Sequence, residues 1–283
     1  MIIDSHCHAW SYWPYLPEPA HPEQHGSIET LIHQMDQNGV DKATIVCAQI
    51  YRNKTNNDYI SNALSNYPNR LEQFADVDSF WSETYHIKGA ANRLETAIEK
   101  WPMKAFTHYL AKEDDGKWMN SKDGIDFFKV AEEAKIIASL AVAPHHQNEI
   151  RKVAERHPNL KILCHHMSGL KSYGNDKDKN LKNVLESSNL PNILLKLSGF
   201  HYVSKEKNSW NFPYYEIKYI YEKCYESFGR NMCWGSDFPV VKPHMTYKQS
   251  IEAFRTFCDF ATEKDKSYIL GKTLNKLLIE ARK

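Results

Sequence analysis

Short apolar runs recur eight times along this 283-residue chain, and helical patterns lie between them. The runs are Met1–Ile3, Ala43–Ala48, Leu71–Val77, Met103–Tyr109, Ile136–Val142, Lys161–His165, Ile193–Ser198 and Met232–Gly235. Runs of this kind fit strands that are buried on both faces, as in a parallel sheet. Eight such strands alternating with helices predict an α/β protein with the (β/α)8 TIM-barrel fold.

The main rival fold is an open, doubly wound sheet. That fold usually carries a glycine-rich phosphate loop after its first strand. Here the first strand is followed by Ala9-Trp10-Ser11-Tyr12-Trp13-Pro14, which contains no such loop. The chain also has no internal repeat and no low-complexity linker, so we expect residues 1–283 to form one domain.

Several helix boundaries can be predicted from capping residues. Ser27 is placed to cap a helix that ends at Gly39, and Asp123 to cap a helix over Ile125–Lys135. Two longer stretches, Ala9–Gly26 and Lys171–Lys182, have no regular pattern and follow predicted strands. In a barrel both would therefore lie on the active-site face.

Composition narrows the class of protein. Charged residues make up 25% of the chain with a net charge of +1, and the lysines and arginines are scattered, which gives no support for a nucleic-acid partner. No segment approaches the ~20 apolar residues of a membrane span, and the N-terminus lacks a signal-peptide pattern. The six cysteines are widely spaced, which predicts reduced thiols and a cytoplasmic protein. The oligomeric state stays open, with a homodimer among the states allowed.

The first predicted strand ends in the pair His6 and His8. Residues two apart on a strand point to the same face, so the two imidazoles leave the strand side by side and can hold one metal ion. Neutral imidazole is the commonest biological ligand for zinc and similar metals. A buried, hydrogen-bonded pair is the alternative explanation.

Further polar residues stand where other predicted strands end, and barrel active sites are built at these ends. They are His145, His146, His165, His166, Ser198, His201 and Asp237. Scattered structural histidines would have no reason to collect there. The pattern therefore favours an active site formed by a metal, a carboxylate that moves protons and a group that stabilises an oxyanion, the three parts that ester, lactone or amide hydrolysis needs.

Four motifs carry a family resemblance. They are Asp4-Ser5-His6-Cys7-His8, Cys164-His165-His166-Met167, Lys196-Leu197-Ser198-Gly199 and Trp234-Gly235-Ser236-Asp237-Phe238-Pro239, in this order. Together with Ile269-Leu270-Gly271-Lys272-Thr273-Leu274 near the C-terminus, they resemble the amidohydrolase superfamily. The most similar branch is the amidohydrolase-related group, which includes sugar and dicarboxylate lactonases and enzymes of the aminocarboxymuconate semialdehyde decarboxylase type.

The resemblance implies roles for individual residues. His6 and His8 would be metal ligands, and Asp237 would take a proton from the attacking water and pass it to the leaving group. His166 would bind metal or polarise the substrate carbonyl, and His145 or His146 would lie where some members place a further ligand; we assign that position to His145. Strand alternation would place only one of His165 and His166 inward, and the motif favours His166.

The chain also departs from the family pattern. The fourth strand reads Lys104-Ala105-Phe106-Thr107-His108, with no obvious carboxylated lysine to bridge two metals. The resemblance therefore implies at most one divalent ion, with Zn2+ the expected metal. Some lactonases of the branch work without a tightly held metal, so the ion could also be weakly bound or absent.

Other residues allow structural and functional interpretations. Asp237 could instead cap a helix before Pro239, and Lys196 is expected to face the helix layer or form an ion pair. Trp10, Tyr12 and Trp13 could form a pocket wall that stacks on a sugar or aromatic ring. Arg52 is the best-placed cation for a substrate carboxylate, and His201 could contact substrate.

The sequence therefore predicts a metal-dependent hydrolase acting on a small molecule, with a lactone of a sugar acid or small organic acid as substrate. One alternative is a non-oxidative decarboxylase of the same superfamily. The other is a non-catalytic barrel that acts as a binding protein.

Overall fold

A computed structural model describes residues 1–206 and 208–282. Eight parallel strands lie side by side in chain order. They are β1 (Ile3–Cys7), β2 (Lys42–Cys47), β3 (Leu71–Asp76), β4 (Ala105–Tyr109), β5 (Ile137–Ala141), β6 (Ile162–Cys164), β7 (Ile193–Leu197) and β8 (Met232–Trp234). The chain forms a nearly closed (β/α)8 TIM barrel, which confirms the predicted fold. Seven of the eight predicted runs coincide with strands, whereas Met1–Ile3 shares only Ile3 with β1.

Helices connect the strands. Those of eight residues or more are Ile28–Asn38, Asn56–Leu64, Ala90–Lys100, Lys122–Glu133, Gln147–Arg156, Lys177–Glu186, Lys218–Phe228, Tyr247–Arg255 and Thr273–Glu280. Shorter helical turns are Lys117–Asn120, Pro144–His146, His166–Gly169, Ser187–Asn189, Phe200–Val203, Ser209–Asn211, Tyr215–Ile217, Glu263–Ser267 and Tyr268–Lys272. Within the described ranges, none of these helices has the length and apolar character needed to cross a membrane.

Helix boundaries were predicted with mixed success. The first helix is confirmed: the Ser27 side chain accepts from the N–H of Thr30, and Gly39 ends the helix with a φ of 65°. The helix expected over Ile125–Lys135 instead begins at Lys122, because Ser121 rather than Asp123 caps it. The stretch Lys171–Lys182 is irregular only in its first half, since a helix begins at Lys177.

The barrel interior has an apolar floor at the N-terminal ends of the strands. Its side chains are buried and come from seven of the eight strands and from the last helix: Ile3, Phe74, Ala105, Ile137, Leu163, Leu194, Cys233, Leu274, Leu277, Leu278 and Ala281. The last helix thus plugs the bottom of the barrel. A larger apolar layer between the strands and the helices surrounds this floor. The polar side chains in the upper interior therefore lie above buried apolar side chains.

Strand β1 contains a β-bulge that decides where its histidines point. Asp4 pairs with Ala43 and Cys7 with Ile45, so three steps on β1 match two steps on β2. Ile3 lies in the apolar floor, whereas Cys7 packs in the outer layer. The extra residue shifts the alternation of the strand, and His6 and His8 therefore enter the upper interior.

The seam between β1 and β8 closes without a regular backbone ladder. The N–H of Asp237 donates to the carbonyl of His6 at 2.7 Å, and the N–H of His8 donates to the carbonyl of Phe238 at 2.6 Å. Gly235 lets the two strands approach, because a Cβ there would lie 2.7 Å from the Cβ of His6. The seam therefore brings the residues after β8 against the His6–His8 pair.

Candidate active site

His6, His8 and Asp237 form a three-residue cluster at the C-terminal end of the barrel. Both histidine Nε2 atoms lie 3.6 Å from Asp237 Oδ1, and one ligand atom from each residue fits within 4.8 Å of the others. All three side chains are buried. His6 Nε2 has no hydrogen-bond partner among the described residues. An unpaired buried ring nitrogen next to a carboxylate is the arrangement expected of a metal site.

The backbone of β2 sets the tautomer of His8. Its Nδ1 lies 2.8 Å from the carbonyl oxygen of Val46, which can only accept a hydrogen bond. Nδ1 therefore carries the proton, and the lone pair on Nε2 faces Asp237. The indole of Trp10 stacks on the ring at a centroid distance of 4.8 Å and donates from Nε1 to the carbonyl of Ala48. These contacts hold His8 in the geometry of a ligand.

His6 is supported from below by a lysine. Its Nδ1 lies 3.4 Å from Lys196 Nζ, which donates to Ser139 Oγ at 2.7 Å. Lys196 is fully buried, and burial lowers its pKa to about 7. Burial also lowers the pKa of His6 well below its ordinary value. The expectation that Lys196 faces the helix layer is wrong: β7 turns Lys196 into the barrel, with Leu195 and Leu197 facing outward.

Asp237 lies three residues after the end of β8 and adopts a left-handed φ of 59°. Burial opposes its ionisation, but His166, His8 and His201 together hold the pKa of the carboxyl below its ordinary value. The carboxylate is therefore ionised at neutral pH. Asp237 does not cap a helix, because the next helix begins at Tyr247 with Thr246 as its cap.

Both histidines after β6 lie inside the barrel, against the expectation that only one would. His165 Nε2 bonds Ser139 Oγ at 2.7 Å below the cluster. His166 Nε2 lies 3.9 Å from Asp237 Oδ1, and its Nδ1 lies 3.0 Å from Ser198 Oγ. The chain leaves strand geometry here, since His166, Met167 and Ser168 all have positive φ values. Strand alternation therefore no longer applies after His165.

The structure does not bring His145 into the cluster. Its Nε2 lies 3.0 Å from the carbonyl oxygen of Asp114, and the side chain is exposed. His146 Nε2 bonds the same carbonyl at 2.7 Å, and its Nδ1 accepts from the N–H of Ala143. A turn at Pro144–His146 redirects the chain after β5, so both rings lie against the neighbouring loop.

The residues expected to contact substrate occupy three different environments. Trp10 has no exposed surface and acts on the site through His8. Arg52 is exposed, and its Nη1 lies 3.4 Å from Glu18 Oε1. His201 is buried and stacks on His244 at 4.2 Å. Arg52 therefore already has a carboxylate partner within the protein. His201 lies close enough to Asp237 to be among the groups that lower its pKa.

Sequence reasoning missed three tyrosines around Asp237. Burial and the Asp237 charge together raise the pKa of the Tyr15 and Tyr202 phenols, and Asp237 is among the causes of the same shift at Tyr109. Tyr202 packs on His166 and Tyr109 on His165. Tyr109 ends a predicted strand, Tyr202 follows one, and Tyr15 lies in the aromatic Ala9–Gly26 stretch. These positions at the C-terminal ends of strands are a signal that could have identified all three tyrosines.

The cluster has the donor set of a metal centre. Two imidazole nitrogens and one carboxylate oxygen are the ligands that catalytic zinc prefers, with a further position left for water or substrate. The residues present therefore fit one divalent ion held by His6, His8 and Asp237. His166 lies beside these three residues, and its side chain is 18% exposed, whereas that of Asp237 is 1% exposed.

The fold and site together define a (β/α)8 barrel with a candidate metal centre at the C-terminal ends of its strands. The family model described as amidohydrolase matches residues 3–278, and the chain belongs to that family. Comparison with curated proteins gave no match.

Solved structures share the fold over nearly their whole length. An amidohydrolase from Burkholderia multivorans with bound zinc is 17% identical, with a TM-score of 0.81 and 99% of each chain covered. A probable 2-pyrone-4,6-dicarboxylic acid hydrolase from Acinetobacter baumannii, with citric acid bound, is 20% identical, with a TM-score of 0.77 and 98% of each chain covered. A 5-carboxyvanillate decarboxylase from Sphingomonas paucimobilis is 14% identical, with a TM-score of 0.64 and 98% of each chain covered.

Proposed function

We propose that the chain, acting as one catalytic domain, is a metal-dependent hydrolase that opens a lactone of a sugar acid or small organic acid. The observation that carries the proposal is the convergence of His6 Nε2 and His8 Nε2 on Asp237 Oδ1, each at 3.6 Å. The zinc-bound and lactone-hydrolase neighbours support the choice. Hydrolysis joins the water oxygen to the lactone carbonyl carbon and breaks the ring C–O bond.

Asp237 moves the proton in this reaction. Its carboxylate is ionised at neutral pH and buried, so it can take a proton from the attacking water and return it to the ring oxygen as the C–O bond breaks. A divalent ion held by His6, His8 and Asp237 would supply Lewis acidity, lowering the pKa of water and polarising the carbonyl. The apolar floor closes the barrel beneath the reacting groups.

His166 is the candidate donor to the developing oxyanion. Burial lowers its pKa to about 4, so the ring is neutral at pH 7. A Ser198 hydroxyl that donates to Nδ1 leaves the proton on Nε2, which faces the space above Asp237. A neutral N–H there can donate to the carbonyl oxygen as negative charge builds on it.

The proposal is tested with a panel of sugar-acid and organic-acid lactones, assayed by acid release with a pH indicator. Asp237→Asn should lower kcat by about 100- to 10,000-fold while the thermal unfolding midpoint is kept. His145→Asn, in an exposed side chain outside the cluster, is the matched control and should keep full activity.

A CO2 assay with carboxylated substrates, run beside the acid-release assay, separates the alternatives. A decarboxylase would release CO2 from a carboxylated substrate, whereas a lactonase produces acid without CO2. A binding protein would turn over neither class of substrate. Full turnover by both His6→Ala and Asp237→Ala, with the variants folded, would show that the proposed mechanism is wrong.

A further inference from the structure

An aromatic slot of about 320 Å3 opens on the rim of the barrel beside the cluster. The loops after β1 and β2 form it, and its lining includes Trp13, Tyr15, Leu16, Tyr51 and the Glu18–Arg52 pair. Its volume is at the lower end of the range of about 300 to 1,000 Å3 found for small-molecule sites. A slot of this size suits one six-membered ring.

Packed aromatic rings connect the wall of the slot to the cluster. The Trp10 indole lies on His8 at 4.8 Å and contacts the Tyr15 ring at 5.9 Å and the Trp13 ring at 6.1 Å. Tyr15 and Trp13 both line the slot. Burial and the nearby Asp237 charge together raise the pKa of the Tyr15 phenol. Tyr15 therefore borders both the slot and the cluster, and a ligand that stacks on it can extend toward the candidate metal centre.

The slot presents apolar surface to solvent. Leu16 is 87% exposed and Tyr51 is 68% exposed. Tyr51 also has a positive φ of 48°, a conformation that costs a side-chain-bearing residue free energy. Exposed apolar groups on adjoining loops, one of them strained, are typical of a ligand-binding groove.

The charges of the slot cancel within the protein. Arg52 Nη1 lies 3.4 Å from Glu18 Oε1, and the Tyr12 hydroxyl donates to Glu18 Oε2 at 3.1 Å. The Arg52 guanidinium also lies over the Tyr12 ring at 4.8 Å. A carboxylated ligand would have to displace Glu18 from Arg52, whereas hydroxyl groups can add hydrogen bonds to both without separating the pair.

We propose that this slot binds an uncharged, hydroxylated six-membered ring attached to the group that reacts at the cluster. The aromatic walls would stack on the apolar face of the ring, and Glu18 and Arg52 would bind its hydroxyls. Resting on the proposed lactonase function, this makes the substrate a glycosylated sugar lactone rather than a single-ring or dicarboxylate lactone.

The kinetic test compares two lactones that share a reacting ring. D-glucono-δ-lactone has one ring, and lactobiono-δ-lactone carries an uncharged galactosyl ring in addition. Tyr51→Ala should raise KM for lactobiono-δ-lactone by about tenfold, leave its kcat unchanged and leave both constants for D-glucono-δ-lactone unchanged. Tyr51→Phe should restore KM, and Tyr215→Ala, in a tyrosine that is 71% exposed outside the slot, should change nothing. Equal effects on both lactones, or none on either, would overturn the inference.

A binding experiment separates this inference from the proposed function. Titration of the protein with methyl β-D-galactopyranoside, followed by tryptophan fluorescence, should show saturable binding that Tyr51→Ala abolishes, whether or not any lactone is hydrolysed. The corresponding methyl galactosiduronate should bind more weakly. No binding, or tighter binding of the charged sugar, would overturn the inference and leave turnover of D-glucono-δ-lactone unaffected.

Discussion

The Asp4 carboxylate accepts hydrogen bonds from both the backbone N–H and the hydroxyl of Ser236, a residue 232 positions away in the chain. It also accepts from the Tyr247 hydroxyl at 2.8 Å and from the N–H of His6 at 3.1 Å. We call Asp4, Ser236 and Tyr247 the clasp. Asp4 immediately precedes the bulge, and Ser236 immediately precedes Asp237. The clasp therefore positions both sides of the candidate metal centre.

Tyr247→Phe removes one hydrogen bond from the clasp without changing its packing. We expect the free energy of unfolding to fall by about 1 to 3 kcal/mol, because a buried carboxylate oxygen loses a donor. Affinity for Zn2+ should fall as well, by about 10- to 100-fold, because the clasp orients the ligands. Urea unfolding and competitive zinc titration measure the two effects. Lost stability with unchanged zinc affinity would mean that the clasp holds the seam but does not position the site.

His6→Asn and His8→Asn should each abolish tight zinc binding, because each removes one of the three donors of the cluster. His145→Asn is the matched control and should bind zinc like the unmodified protein. Elemental analysis after dialysis against zinc and isothermal titration give the stoichiometry and the affinity. Equal affinities in all three variants would place the metal elsewhere.

Lys196→Met should change how stability depends on pH. Burial lowers the pKa of Lys196 from 10.5 to about 7, so between these values the unfolded chain binds a proton that the folded chain does not. Stability of the unmodified protein should therefore rise through this window relative to Lys196→Met, by about 1.4 kcal/mol per pH unit.

The measurement is urea unfolding in the presence of a chelator at several pH values between about 7 and 10. Lys122→Met, in a side chain that is 90% exposed, is the control and should show no such slope. A pH-independent difference between Lys196→Met and the unmodified protein would mean that Lys196 stays charged inside the barrel.

Gly235→Ala should damage the site from the β8 side of the seam. The added Cβ would lie 2.7 Å from the Cβ and 2.8 Å from the backbone N of His6, so β1 has to move. We expect a lower unfolding midpoint and weaker zinc binding. Gly174→Ala is the control: it has no atom within 4 Å of the added group and a φ of 93°, so it should lose some stability but keep zinc affinity.

Much of the fold could be predicted because the barrel repeats one pattern. Each apolar run is long enough for one buried strand, and the strands neighbour each other in chain order. His6, His8, His166 and Asp237 could likewise be placed near one another, since all lie at or just beyond the C-terminal ends of strands.

The sequence could not reveal the local departures from regular geometry. A single extra residue in β1 and a run of left-handed residues from His166 to Gly169 change which side chains face inward. The residue types at the bulge and at His166, Met167 and Ser168 do not indicate these conformations. Lys196 was misplaced for a related reason. An inward-facing lysine is unfavourable until Ser139 and His6 are known to lie beside its amine.

The seam has a consequence for how the protein becomes functional. One side of the cluster belongs to the first strand and the other follows the eighth, so the donors meet only when the ring of strands closes. Until then a growing or partly unfolded chain holds a histidine pair without its carboxylate. High-affinity metal binding would therefore indicate that the barrel has closed. The rate of metal uptake during refolding would measure the rate at which the first and eighth strands come together.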